Sequence, residues 1–93
     1  MIKHVYLYKL TDKTKAKEVA EKLMTMKTNI PSVADVEIGI DFIGAKASFD
    51  LLECVVCKTK EDFEAFCVDP YHDKIRAYMK TATLEGYKVD YEI

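Results

Sequence analysis

Asp69-Pro70-Tyr71-His72 places an imidazole in the first turn of a helix. Aspartate is a favoured N-cap, and proline suits the first helical position because its missing N–H would have no partner there. The motif fixes His72 beside the orphan amides of a helix start, where the positive end of the helix dipole favours the neutral, basic ring. With an ordinary pKa near 6.5, such a histidine suits proton transfer at neutral pH, and His72 is the candidate acid–base group. The other histidine, His4, lies in the first strand with Tyr6 and Tyr8 on the same face. These three, with Phe66 and Tyr71, make a candidate ligand-binding set. Each also has a structural reading: His72 as a locally bonded helix-start residue, His4 as a satisfied core histidine, the tyrosines as packing. Cys54-Val55-Val56-Cys57 has the C-x-x-C spacing, but in a strand residues three apart point to opposite faces. With no second Cys/His pair to complete a zinc set, no metal is expected and the cysteines read as buried small residues.

The chain that must position these groups is short. Ninety-three residues make one domain, spanning 1–93, which buries only about 60–65% of its unfolded surface and gains from association. Its 14 basic and 16 acidic residues are scattered, for a net charge of −2, so nucleic acid is not an expected partner. No apolar run approaches the roughly 18 residues of a membrane span, so no membrane association is expected. Met1–Leu10 reads directly as a strand with no export signal, and three cysteines are too few for a disulfide framework. The expected setting is the cytoplasm. Three glycines leave no phosphate loop or dinucleotide fingerprint, and no cofactor is expected. The acidic pairs Asp62/Glu64 and Asp90/Glu92 read as solvated faces.

Residues 2–10 alternate as a strand, with Ile2, His4, Tyr6, Tyr8 and Leu10 on one face and Val5 and Leu7 on the other. Residues 13–28 carry a helical stripe of Ala16, Val19, Ala20, Leu23 and Met26, and Asn29 and Pro31 end it. Residues 34–42 alternate again, and residues 49–58 are apolar on both faces. Thr59-Lys60-Glu61-Asp62 resembles a capping box opening a short helix through Phe63 and Phe66. Pro70 starts a second helix with Tyr71, Ile75, Tyr78, Met79 and Ala82 inward. Gly86 lies near the start of a last strand in which Tyr87, Val89, Tyr91 and Ile93 alternate with Lys88, Asp90 and Glu92. The order β-α-β-β-α-β predicts an α+β, ferredoxin-like subunit: a four-stranded antiparallel sheet with its helices on one face. The first and third strands are then central and carry apolar residues on both faces. The open face needs a cover, and a second copy related by a two-fold axis supplies one. The expected assembly is a homodimeric α/β barrel, with an interior cavity between the two sheets.

The opening Met1-Ile2-Lys3-His4-Val5-x-Leu7-x-Lys9-Leu10 resembles that of the stress-responsive A/B barrel (Dabb) family. So do Ile30-Pro31-x-x-x-x-Val36-Glu37-x-Gly39, Phe49-Asp50-Leu51, Pro70-x-His72 and Val89-Asp90-Tyr91-Glu92, in collinear order along the chain. The resemblance implies a ferredoxin-like subunit in a dimeric α/β barrel. The family includes plant stress-associated proteins, a plant polyketide cyclase and small bacterial members without an assigned reaction. By resemblance to the cyclase, His72 corresponds to its helix-start acid–base histidine and His4 to a histidine lining its pocket. Its catalytic tyrosine, six residues before that histidine, corresponds to Phe66, which lacks the hydroxyl the reaction uses. A histidine common before the proline is Asp69 here. The absence of tryptophan removes the Asn-Trp-His site of haem-degrading relatives of the dimeric barrel.

Two functions follow as expectations. In the first, an apolar or aromatic small molecule binds in the barrel cavity beside His4, Tyr6, Tyr8, Phe66 and His72, with histidine-based proton transfer of isomerase, lyase or cyclase type. In the second, a non-catalytic stress or assembly protein uses the barrel face only to join subunits. The first requires His4 and His72 to open into one cavity of roughly several hundred Å³.

Overall fold

A computed structural model describes all 93 residues. The strands are β1 (Ile2–Leu10), β2 (Asp35–Ile40), β3 (Leu51–Cys57) and β4 (Thr83–Glu92). The helices are α1 (Ala16–Met24), α2 (Met26–Asn29), α3 (Lys60–Val68) and α4 (Pro70–Ala82), with one 3-10 turn at Lys13–Lys15. All strand pairs are antiparallel in the order β2-β3-β1-β4, so β1 and β3 are central. This is the ferredoxin-like α+β plan expected from the element order. No helix is long and apolar enough to cross a membrane.

The helix expected over 13–28 is broken at Thr25. Asp12 caps a 3-10 turn first, its carboxylate accepting the Thr14 amide. Thr25 then ends α1, its hydroxyl donating to the Lys22 carbonyl at 2.6 Å. Such back-bonding competes with the helix ladder. The apolar stripe survives the break: Ala16, Val19, Leu23 and Met26 are buried against the sheet, and Ile30 continues the row.

Both helix starts read from the sequence are built as expected. The Thr59 hydroxyl accepts from the Asp62 amide at 3.0 Å, and the Asp69 carboxylate accepts from the Tyr71 amide at 2.8 Å with Pro70 at the first position. Asp69 thus ends α3 and caps α4 in one residue, which turns the chain sharply and keeps the two helices in contact.

Cross-strand register decides which residues face the helices. His4 lies opposite Val55 and Asp90, Tyr6 opposite Glu53 and Lys88, and Tyr8 opposite Leu51 and Gly86. Directly paired residues share a face, so all of these lie on the helix side with Ile2 and Leu10. The other face carries Val5, Leu7, Leu52, Cys54, Val56, Tyr87, Val89 and Tyr91, and no helix covers it. Cys54 and Cys57 therefore lie on opposite faces, as the strand geometry requires, and all three cysteines are free. On the helix side α1 packs over β2 and β3, and α3 over β3, whereas no helix makes comparable contact with β4. A cleft remains between β1, β4 and the α3–α4 pair.

Candidate functional site

His72 is placed by the geometry of two helix ends. The last carbonyls of α3 have no intrahelical amide. The His72 ring, in the first turn of α4, donates its Nδ1–H to one of them, the Phe66 carbonyl, at 2.9 Å. Arg76, one turn further on, reaches the next at Cys67 with 2.8 Å. The imidazole stacks on the fully buried Phe66 ring with centroids 4.0 Å apart. With Nδ1 committed as a donor, Nε2 carries the lone pair. Burial pushes the His72 pKa below its ordinary value, the Phe66 bond opposes this, and the Arg76 charge adds to the lowering. His72 is thus held neutral, as the sequence suggested, but chiefly by desolvation.

His4 is biased in the opposite direction. Its Nδ1 bonds Asp90 on β4, and its Nε2 lies 3.2 Å from Glu53 on β3. Burial alone would lower the His4 pKa, but the bonds to Glu53 and Asp90 and their charges outweigh it and raise it. Two carboxylate partners thus favour the imidazolium. Glu53 is 2% exposed and uses its other oxygen to accept from the Tyr8 hydroxyl at 3.0 Å. Burial, then the adjacent Glu53 carboxylate, pushes the Tyr8 phenol far above its ordinary range. Lys88 closes the far end, 2.7 Å from Asp90. Tyr8, Glu53, His4, Asp90 and Lys88 form one chain of paired polar groups under the sheet's helix face.

Three members of this network, Glu53, Asp90 and Lys88, are not among the candidates read from the sequence. The reading of Asp90 as part of a solvated face is corrected: its side chain is 24% exposed and grips His4, because Asp90 lies directly opposite His4 in the β1–β4 register. Glu53 sits in a strand whose pattern is otherwise apolar. The signal was present, since a charge at the centre of Leu51-Leu52-Glu53-Cys54-Val55 has to find a buried partner.

His4, Tyr6, Tyr8, Phe66 and His72 line one cleft of about 730 Å³, together with Glu53, Phe63, Ile75 and Met79. Tyr71 is not among them. It points toward the break between α1 and α2, where its hydroxyl donates to Thr25 Oγ1 at 2.6 Å. The cleft is also not where the sequence placed it. It lies within one subunit, between sheet and helices, and not between two facing sheets. Both faces of β1 and β3 are apolar, so alternation alone did not say which one the helices cover. Asp62 is partly buried at the start of α3, while Glu64 and Glu92 are exposed.

A family model described as the stress responsive A/B barrel domain matches residues 2–93. A sequence search of curated proteins finds no match. Among solved structures, At3g17210 from Arabidopsis thaliana superposes with a TM-score of 0.85 at 16% identity, over 100% of this chain and 95% of that one. Hydroxynitrile lyase from Passiflora edulis gives 0.84 at 13% identity, over 99% and 92%. A dimeric ferredoxin-like protein of unknown function from Thermobifida fusca gives 0.83 at 19% identity, over 99% and 90%. At these identities the structures share the fold, and a match over nearly the whole length carries the membership: the chain belongs to the stress responsive A/B barrel domain family.

Proposed function

We propose that this protein is a cytoplasmic homodimer that binds an apolar, aromatic small molecule in the cleft of each subunit. There His72 accepts a hydrogen bond or a proton from the ligand. One observation carries the reading: His72 is a neutral imidazole whose Nδ1 is occupied by the Phe66 carbonyl, in the wall of a cleft large enough for a drug-sized molecule. His4, Tyr8, Glu53 and Asp90 are already paired with one another, so the basic Nε2 is the proton acceptor they leave to the site. Proton-transfer chemistry of isomerase or lyase type fits such a base. The structural likeness to a hydroxynitrile lyase is consistent with it at the level of the fold. Dimerisation is assigned to the uncovered sheet face, where Leu7, Tyr87, Val89 and Tyr91 are exposed together. Dimeric neighbours of the same fold support that assignment.

The test uses 2-naphthol, a flat apolar molecule with one weakly acidic hydroxyl. Binding to wild type and to His72→Ala is followed by proton NMR of the histidine ring signals and by thermal shift. The expected result is saturable binding that moves the His72 signal and weakens in the variant. Equal binding to both proteins, or none to wild type, would remove His72 from a ligand site.

A further inference from the structure

The two phenols of β1 have different fates. Tyr8 is buried, and its hydroxyl is spent on Glu53. Tyr6, two residues earlier on the same face, is half-buried in the cleft wall, and its hydroxyl bonds nothing in the chain. Its ring is nevertheless firmly placed. It stacks on Tyr8 with centroids 4.3 Å apart and planes 13° from parallel. It also lies across the β4 backbone at Gly86. A Cβ there would stand 2.5 Å from Tyr6 Cε1 and 3.2 Å from its hydroxyl, with the Leu7 carbonyl at 3.3 Å. A contact under 3 Å would force the ring to shift, so glycine leaves the notch in which it sits.

Most other polar groups around the cleft are committed. Glu53 and His4 belong to the buried network, the exposed Lys88 is paired with Asp90, and Arg76 is held by Asp73 and the Cys67 carbonyl. Lys80 is exposed at the rim, and the Thr83 hydroxyl, which also has no partner, is sealed by burial at the α4–β4 junction. A held, unpaired phenol inside an apolar wall is a donor awaiting an acceptor. From this we infer that Tyr6 is the specificity-determining residue of the cleft, donating its hydroxyl to a carbonyl oxygen of the ligand. The inference rests on the aromatic-ligand reading above. It narrows the ligand to a flat aromatic compound with a carbonyl at one end and a hydroxyl or other acidic group at the other. Tyr6 and His72 sit at different points of one aromatic wall, joined through His4 and Phe66 by ring contacts of 6.1, 5.6 and 4.0 Å. A two-ring ligand therefore suits the site better than a one-ring compound.

The test compares 6-acetyl-2-naphthol with 2-naphthol, which lacks only the acetyl carbonyl, by fluorescence titration of wild type, Tyr6→Phe and Gly86→Ala. Wild type is expected to prefer the acetyl compound by about 3- to 10-fold, the range of one hydrogen bond. Tyr6→Phe should bring the ratio of the two affinities to about one, since the stacked ring remains and only the donor is lost. Gly86→Ala, by displacing the ring, should weaken the acetyl compound as well. If Tyr6→Phe keeps the preference, or weakens both ligands equally, the phenol does not read the carbonyl, although a His72-dependent 2-naphthol site would stand. If neither compound binds wild type, the inference falls together with the reading beneath it.

Discussion

Replacing Glu53 by glutamine tests whether the buried network is ionic, because it removes a charge and little volume. Glutamine can still accept from Tyr8 through its carbonyl, at the position where Glu53 Oε1 lies 3.0 Å from the phenol. Its amide then faces His4 Nε2 in place of the carboxylate oxygen now 3.2 Å away. An imidazolium cannot donate to an amide N–H, so His4 must lose the Nε2 proton and accept from the amide through that nitrogen, while Nδ1 keeps its bond to Asp90. The variant exchanges a charge-assisted hydrogen bond worth about 1.5–3 kcal/mol for a neutral one worth about 0.5–1.5 kcal/mol. The expected loss is about 1–2 kcal/mol, against a total stability of about 5–14 kcal/mol for a domain this size. In Tm that is about 5–15 °C. The sign with pH follows from His4. Its folded pKa is raised, so its contribution is fully present below the unfolded value of about 6.5 and is lost as pH rises through the folded pKa. The gap between wild type and Glu53→Gln should therefore be widest near pH 6 and close toward alkaline pH. Urea unfolding at a fixed protein concentration, from pH 5.5 to 9, measures the gap, and NMR titration of the His4 ring measures the pKa directly. A wild-type His4 titrating at or below 6.5, with a gap that does not change with pH, would refute the ionic account.

Asp69→Ala should cost about 1 kcal/mol by removing the cap of α4. Because that cap also sets the α3–α4 turn, the His72 NMR signal should shift with it, and an unmoved signal would separate the cap from the site. Leu7→Glu on the uncovered face should convert the proposed dimer to monomer in sedimentation, with the secondary structure retained. A dimer unchanged by this charge would place the interface elsewhere.

The parts of the molecule that were legible from sequence are those whose physics is local or periodic. The Asp69–Pro70 start of α4 needs only a capping carboxylate and a residue without an amide hydrogen, so it could be read directly. The central positions of β1 and β3 follow from the β-α-β-β-α-β order, with which their two apolar faces agree, and the opposite orientations of Cys54 and Cys57 follow from strand alternation. What stayed hidden depends on register. Asp90 looks like any acid on an edge strand until pairing sets it opposite His4, and a shift of one residue would have turned it to the uncovered face. Tyr71 shows the converse, since its place in the apolar stripe of α4 was right and its direction was not. It serves the α1–α2 break at Thr25, a break the helical period of residues 13–28 did not announce. Glu53 marks the boundary between the two cases. A buried acid in a central strand announces that a partner exists, and only the fold says that the partners are His4 and Tyr8. Since those partners consume every proton His4 and Tyr8 could offer, the chemistry proposed for the cleft falls to groups outside the network, the Tyr6 hydroxyl and the Nε2 of His72.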